Sequence, residues 1–199
     1  MKLKINKNLS YLGGVIVGDG HLYNGPKSKS DQSRDYRIQL DSIDQKFSEF
    51  LLEEFRKITK TKVKLKIIID KRKNRKILYR IMIRNKSLYN FLVKTMEIPP
   101  GKKSGKVKIP ERILDNKIYS KYFISGLYDT DGGKRGKSIG FTSKSKKLID
   151  QTSLLLDRFD ISHSKEGWIN KKYNTPFYGI RLHKKSTDTF LNKFPIKKK

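Results

Sequence analysis

Two stretches of the chain resemble each other. The first is Tyr11-Leu12-Gly13-Gly14-Val15-Ile16-Val17-Gly18-Asp19-Gly20, and the second is Phe123-Ile124-Ser125-Gly126-Leu127-Tyr128-Asp129-Thr130-Asp131-Gly132. Their terminal aspartates stand 131 − 19 = 112 residues apart. The likeness continues in the same order. Ile38-Gln39-Leu40-Asp41-Ser42 matches Ile139-Gly140-Phe141-Thr142-Ser143 at an offset of 139 − 38 = 101. Leu78-Tyr79-Arg80-Ile81-Met82-Ile83 matches Phe177-Tyr178-Gly179-Ile180-Arg181-Leu182 at 177 − 78 = 99, and Lys86-Ser87 and Phe91-Leu92 recur at that same offset. Matched segments in one order mark a tandem duplication, which constrains the fold more than any single motif. The fall from 112 to 101 puts an excess of 112 − 101 = 11 residues in the first copy. It falls in the polar stretch 24–35, whose Gly25-Pro26 and serines read as an exposed loop.

Each copy predicts the order helix-strand-strand-helix-strand-strand-helix. A short apolar helix ends at Asp-Gly. A strand follows near Leu22-Tyr23, then one at 36–42, or 137–143 in the second copy. An amphipathic helix carries Phe47, Phe50, Leu51 and Phe55 on one face, or Leu148, Leu155 and Phe159. Two strands come next, at 62–70 and 76–84, then 163–170 and 177–183, and a short helix closes each copy. The class is α+β, with an N-terminal half at 1–96, a linker at 97–119 marked by Pro99-Pro100-Gly101 and Pro110, and a C-terminal half at 120–199.

Charge narrows the partner. Among 199 residues, Lys plus Arg number 47 and Asp plus Glu 19, a net charge of +28. Such self-repulsion calls for a polyanion, and nucleic acid phosphates release counterions when Lys and Arg neutralise them. The basic residues are scattered rather than gathered in a tail. No run approaches the apolar length of a membrane span, and no signal-peptide pattern opens the chain. There is no cysteine, which removes disulfides and thiolate chemistry. The expectation is an intracellular protein (archaeal or bacterial cytoplasm, or an organelle), not secreted and without a membrane partner.

The paired apolar helices carry the chemistry. Asn8 or Ser10 can cap the first, and Ser120 the second. Gly14 and Gly18 are four apart, as are Gly126 and Thr130, so each pair offers a small face that lets two helix backbones approach closely. If the helices pack in parallel, Asp19 and Asp131 emerge together at C-termini already rich in unpaired carbonyls. Two carboxylates there repel unless a cation lies between them, and an oxygen-only set suits Mg²⁺. Gly20 and Gly132 are expected to end the helices in the left-handed conformation. Asp129 has Val17 as its counterpart, so it reads as structural.

Other patterns fail. Gly136-Lys137-Ser138 lacks the earlier glycine of a phosphate loop, because position 131 is Asp. Asp129-Thr130-Asp131 has Gly where a calcium loop needs acids at 133 and 140. His21, His163 and His183 have no zinc spacing.

Residues 12–20 and 124–132 resemble the two motifs of the LAGLIDADG homing endonucleases, and the repeat pattern covers nearly the whole chain. The resemblance implies a saddle of two tandem αββαββα halves related by a pseudo-two-fold axis, with antiparallel sheets on DNA and the two motif helices at the interface. It implies a monomer in which Asp19 and Asp131 bind Mg²⁺ (or Mn²⁺), each cutting one strand, with four-base 3′ overhangs. Carbonyls of Gly18 and Thr130 match positions that can also touch metal. The first motif departs from the pattern with Gly13 and Val17 in place of Ala and Asp. Family members use a basic or polar residue near the site. Lys144 and Ser42 sit at matching positions after the first strands, with Arg84 and His183 as alternatives.

Strand alternation puts one face on the helices and the other on DNA. Tyr79, Ile81, Ile83, Tyr178, Ile180 and Leu182 point inward. Arg37, Gln39, Asp41, Lys64, Lys66, Arg80, Arg84, Arg181 and His183 are left to read DNA, in a major groove where Arg and Gln recognise guanine and adenine edges. At about one helical turn per half the target spans roughly 20 bp, and the unlike faces imply that it is not a palindrome. The resulting expectation is a site-specific double-stranded DNA endonuclease serving intron homing. The alternative is an intron RNA maturase, or a cleavage-inactive DNA-binding regulator of the same fold.

Overall fold

The structure is a computed structural model that describes residues 3–60, 63–69, 76–172 and 174–198. In the first copy the elements are α1 (Lys7–Gly18), β1 (Gly20–Pro26), β2 (Arg34–Ser42), α2 (Gln45–Thr59), β3 (Lys64–Ile68), β4 (Leu78–Arg84) and α3 (Lys86–Lys94). A one-turn helix, α4 (Glu111–Leu114), interrupts the linker and buries Ile113. The second copy repeats the order as α5 (Lys117–Asp131), β5 (Gly132–Arg135), β6 (Ser138–Ser143), α6 (Lys146–Arg158), β7 (His163–Asn170), β8 (Thr175–Leu182) and α7 (Lys184–Lys193). The ends of the strand expected at 62–70 lie outside the described residues.

Each copy forms a four-stranded antiparallel sheet, ordered β1-β2-β4-β3 and β5-β6-β8-β7. The period-two pattern settles the faces. Ile38 and Leu40 on β2 pair with Ile83 and Ile81 on β4, and all four are buried. Phe141, Ile180 and Leu182 do the same in the second sheet. Helices α2 and α6 cover those faces with Phe47, Leu51, Leu52 and Phe55, and with Leu148, Ile149, Leu155 and Leu156. Phe50 is half-buried and packs edge-on against Tyr11, 5.9 Å between centroids.

The helix caps lie upstream of the expected ones. Asn6 accepts from the Leu9 N–H at 2.9 Å, and Asn116 from the Ile118 and Tyr119 N–H groups at 3.0 Å. Asn8 donates to Glu54 instead, while the hydroxyls of Ser10 and Ser120 donate to the carbonyls of Asn6 and Lys117. The excess of the first copy is also not a loop throughout. β1 and β2 stay paired out to Pro26↔Arg34, so much of it lengthens the two arms of a hairpin. Only residues 27–33 form the tip, closed by Lys27 N–H on the Ser33 carbonyl and Ser28 N–H on that of Asp31. In the second copy the arms end at Arg135↔Ser138.

Helices α1 and α5 run side by side in the same direction. An added Cβ on Gly14 lands 2.0 Å from the Phe123 carbonyl oxygen, and one on Gly126 lands 2.0 Å from that of Tyr11. Phe123 and Tyr11 are themselves counterparts (123 − 112 = 11), so the two close approaches are one contact made twice. Further along, a Cβ on Gly18 meets the Thr130 hydroxyl at 2.0 Å. The small faces act as expected, and both C-termini emerge together. Gly14→Ala or Gly126→Ala pushes a methyl into backbone, which gives way less readily than side chains. We expect each to lose about 1–3 kcal/mol of stability or more, read as a lower thermal midpoint. Gly133→Ala, with nothing within 4 Å of the new Cβ, is the control and leaves the midpoint nearly unchanged.

Candidate active site

Asp19 caps α1, its N–H bonded to the Val15 carbonyl at 3.0 Å. Asp131 is the last residue of α5. The chain then turns at once into β1 or β5. Gly20 and Gly132 make that turn possible, but not through the left-handed conformation. Gly132 is extended, φ −85° and ψ 161°, and Gly20 has no positive φ. A Cβ would instead strike the last helical turn, 2.6 Å from Ile16 Cα at Gly20 and 2.5 Å from the Tyr128 carbonyl at Gly132.

Lys103, from the linker, occupies the end of α1. Its Nζ donates to the carbonyls of Ile16 (2.8 Å), Val17 and Gly18. The Gly18 carbonyl, expected as a metal ligand, thus carries an ammonium. No described residue stands within hydrogen-bond or ion-pair reach of either aspartate carboxylate. Enclosure by protein pushes Asp131 up to about 7, with Asp19 adding to the rise and Lys103 opposing it. Asp19 is exposed at the surface, yet the protein crowded around it still raises it against the pull of Lys198 and Lys103, with Asp41 adding to the rise. Burial lowers Lys103 to about 8, although both aspartates favour its charge.

Two clefts flank the pair. One of about 240 Å³ is lined by Asp131, Gly18, Lys103, Lys144 and Phe177. The other, almost filled, holds Asp19 with Asp41, Ser42, Phe47 and Thr130. Lys144 therefore shares a cleft with Asp131, its Nζ 5.1 Å from the Phe177 ring centre. Ser42 is not its counterpart. Ser42 pairs across the sheet with Tyr79 as Ser143 does with Tyr178, and both hydroxyls accept the N–H two residues on. The true match of Lys144 is the exposed Ile43 (144 − 101 = 43). The Thr130 hydroxyl donates to the carbonyls of Gly126 and Leu127. Asp129 is buried and structural. It accepts from the Tyr11 hydroxyl at 2.6 Å and from the N–H groups of Lys197 and Lys198 at 2.9 Å.

The donor set fits a hard divalent cation: two carboxylates and carbonyl oxygens, with no nitrogen or sulfur. The seat of Lys103 on those carbonyls is a direct sign that the helix end attracts cations. Among the described residues no group of three His, Asp or Glu could hold a metal, so carbonyls, water or phosphate oxygens must complete any such shell.

The outward faces of the sheets carry most of the expected reading residues, and carboxylates hold several of them. Asp41 grips Arg80 through two hydrogen bonds, 2.7 and 2.6 Å, and accepts from Gln39 at 3.1 Å. Buried Asp35 binds Arg84 at 2.9 Å and lies 3.7 Å from Arg37, whose guanidinium stacks 4.5 Å over Tyr23. Asp35 thus holds Arg84 beside Arg37, its partner in the cross-strand register. Exposed Lys66 pairs with Arg80 across the sheet, and Lys64 with Met82; the Lys64 side chain lies outside the described atoms. In the second sheet Glu166 binds Arg181 at 2.7 Å. His183 lies beyond β8, at the cap of α7, with Nδ1 2.7 Å from the Ser162 hydroxyl.

Sequence reasoning missed three groups. Lys103 and Lys198 come from segments between and after the copies. Arg135 bonds the Thr142 hydroxyl, approaches Glu166 at 3.7 Å and stacks 5.0 Å over Trp168.

Two four-stranded sheets, arranged around a close parallel helix pair that ends in two acids, define the LAGLIDADG homing-endonuclease fold with two repeats. Residues 119–195 match the model of the LAGLIDADG-like domain. The likeness extends to particular proteins. The homing endonuclease I-DmoI, solved in complex with DNA and Ca, superposes with a TM-score of 0.71 at 20% identity, covering 94% of this chain and 88% of that one. The same enzyme was also solved with DNA and Mn. The homing endonuclease I-WcaI bound to its DNA recognition sequence gives 0.68 at 18% identity, covering 96% and 83%. In Methanocaldococcus jannaschii, the replication factor C small subunit is 28% identical over 189 residues, 94% of this chain but only 9% of that protein. No helix among the described residues is long and apolar enough to cross a membrane.

The raised Asp131 has a thermodynamic consequence. The folded chain binds this proton up to about pH 7, whereas an unfolded aspartate releases it near 3.8. Ionised Asp131 therefore costs the folded state stability, increasingly from about pH 4 to about pH 7. In EDTA, Asp131→Asn should melt above the native chain at pH 8 and close to it at pH 4. A difference that does not grow with pH would show that the carboxylate is not strained.

Proposed function

We propose that this chain is a site-specific double-stranded DNA endonuclease. It acts as a monomer on a non-palindromic target of roughly 20 bp and leaves four-base 3′ overhangs, in the manner of intron homing. The observation that carries this reading is the pair Asp19 and Asp131. Two carboxylates with no hydrogen-bond or ion-pair partner among the described residues are held together at the carbonyl-rich ends of two helices. A binding module has no use for that electrostatic cost.

Asp19 and Asp131 would hold Mg²⁺ or Mn²⁺, with the carbonyls of Gly18 and Thr130 beside them. A bound divalent ion supplies Lewis acidity and lowers the pKa of water at neutral pH. The protein's own part is positional. The close contact of α1 and α5 fixes the spacing of the two acids, so each faces one strand of a duplex lying across the sheets. Lys144, in the cleft with Asp131, offers positive charge to a phosphate or its leaving oxygen. Arg37, Gln39, Arg80, Arg84 and Arg181 face base edges, while Lys66 and much of the remaining charge meet phosphates, which position the duplex without specifying sequence. Asp35, Asp41 and Glu166 set the directions of the arginines.

The test is a duplex pool carrying randomised sites, incubated with Mg²⁺ and sequenced at the cut ends. Breaks at one sequence with four-base 3′ overhangs support the proposal. Selective binding without cuts would instead mark a regulator, and binding to intron RNA alone a maturase. Asp19→Asn and Asp131→Asn should each abolish double-strand cleavage while target binding is retained. Full cleavage by both would remove these residues from the chemistry.

A further inference from the structure

The seat of Lys103 is built. Its ammonium has three protons, and three carbonyls, those of Ile16, Val17 and Gly18, accept them. The linker reaches this place by a defined route. Met96 packs on Gly13, the Gly101 N–H donates to the Leu22 carbonyl at 2.8 Å, and Lys106 N–H closes a turn on the Lys103 carbonyl at 2.9 Å. Gly101 and Gly105 bend the chain on either side at φ +70° and +79°. Beyond them, the Ser145 hydroxyl anchors the Val107 carbonyl at 2.6 Å. Lys103 is thus clamped between the first copy and the second.

Nothing equivalent caps α5 among the described residues. Its Tyr128 carbonyl is taken by the Gly132 N–H. The segment that follows the second copy is placed differently: Lys197 and Lys198 bond Asp129 through their N–H groups, their ammonium groups stand 5.7 and 5.5 Å from the rings of Phe50 and Phe47, and the charge of Lys198 acts on Asp19. Among the described residues, the duplicated frame therefore carries a cation seated on helix-end carbonyls at α1 and not at α5.

We propose that Lys103 is the resident cation of the Asp131 side of the site, holding the Gly18 carbonyl until a divalent ion displaces it, so that the two sides take up metal unequally. This rests on the reading of Asp131 and Gly18 as metal ligands. An ion that must displace an intramolecular ligand binds with an affinity reduced by the fraction of molecules whose site is free. Lys103 is a positioning residue in this account. It keeps the carbonyls of α1 satisfied in the metal-free protein and grades metal entry.

The experiment titrates Mn²⁺ into the full chain, without and with a mixed-sequence duplex, and follows free Mn²⁺ by electron paramagnetic resonance. Lys103→Met keeps the length of the side chain and removes the charge. It should bind one Mn²⁺ about tenfold more tightly than the native chain, and adding Asp131→Asn should abolish the gain. In EDTA it should melt below the native chain and recover more on adding Mn²⁺. Should Lys103→Met fold poorly, Lys103→Gln, which keeps an amide donor for the carbonyls, serves the same comparison. Equal Mn²⁺ affinity and stoichiometry in native and variant chains overturn the inference alone, as does a gain that survives Asp131→Asn. Absence of Mn²⁺ uptake in all of them overturns both the inference and the metal-site reading.

Discussion

The contact between α1 and α5 sets everything else. Gly14 and Gly126 let the two backbones meet where a single methyl on either would lie 2.0 Å from a carbonyl oxygen. Close parallel packing aligns two helix dipoles that repel and brings both partially negative ends to one place. The acids at those ends add to the strain, and Asp131, enclosed by protein and beside Asp19, is raised to about 7. Apolar packing around the pair, from Leu12, Val15, Ile16, Ile124 and Leu127, offsets that cost. The arrangement stores electrostatic strain that a cation relieves, and the seat of Lys103 on the α1 carbonyls shows one form of relief within the chain itself.

The same economy of acids governs the outward faces. With 47 basic and 19 acidic residues, few carboxylates are available, yet Asp35, Asp41 and Glu166 each stand on a sheet face among arginines. A guanidinium held by a carboxylate through two hydrogen bonds, as Arg80 is by Asp41, loses much of its freedom before any ligand arrives. Less ordering is then left for binding. Stacking of Arg37 on Tyr23 and Arg135 on Trp168 works to the same end. Lysines, which carry most of the remaining charge, have fewer such constraints, as suits contacts that follow a phosphate backbone rather than a base.

Much of this was legible in the sequence because it rests on local periodicity and on duplication. Alternation along residues 37–41 and 79–83 assigned the sheet faces, and the spacing of Gly14, Gly18 and Gly126 assigned the helix contact. The failures have a common origin in non-local geometry. Gly25-Pro26 and the serines that follow carry turn chemistry, so the stretch reads as a loop, but strand pairing extends through it to Pro26↔Arg34. Gly20 and Gly132 looked like left-handed caps. Their smallness is instead demanded by the helix turn they fold back against, which no local signal reveals. Ser42 and Lys144 matched by position in a list of elements, whereas cross-strand register matches Ser42 with Ser143. Lys103 lay in a polar linker with nothing to mark it, because its place depends on the path of the chain between the two copies.

Duplication and divergence also fall on different positions of the molecule. At the closest backbone approach and at the acids the counterparts are kept: Gly14 with Gly126, Asp19 with Asp131. Across the outward faces they are not. Gln39 has Gly140 as its counterpart (39 + 101), Asp41 has Thr142 (41 + 101), and Arg80 has Gly179 (80 + 99). Gly14 and Gly126 have little freedom, since the backbones touch there and any side chain larger than hydrogen must displace a carbonyl. The outward faces meet no such limit, and Gly179 sits under Trp168 and Arg135 where Arg80 stands in the other sheet. A symmetric frame can thus hold two equivalent acids in register with two strands of a duplex while its two faces read unlike half-sites. Under the proposed function, that division lets one chain cut a non-palindromic target. It also explains why the linker, which has no symmetry to respect, is free to bring an unpaired cation such as Lys103 into an otherwise paired site.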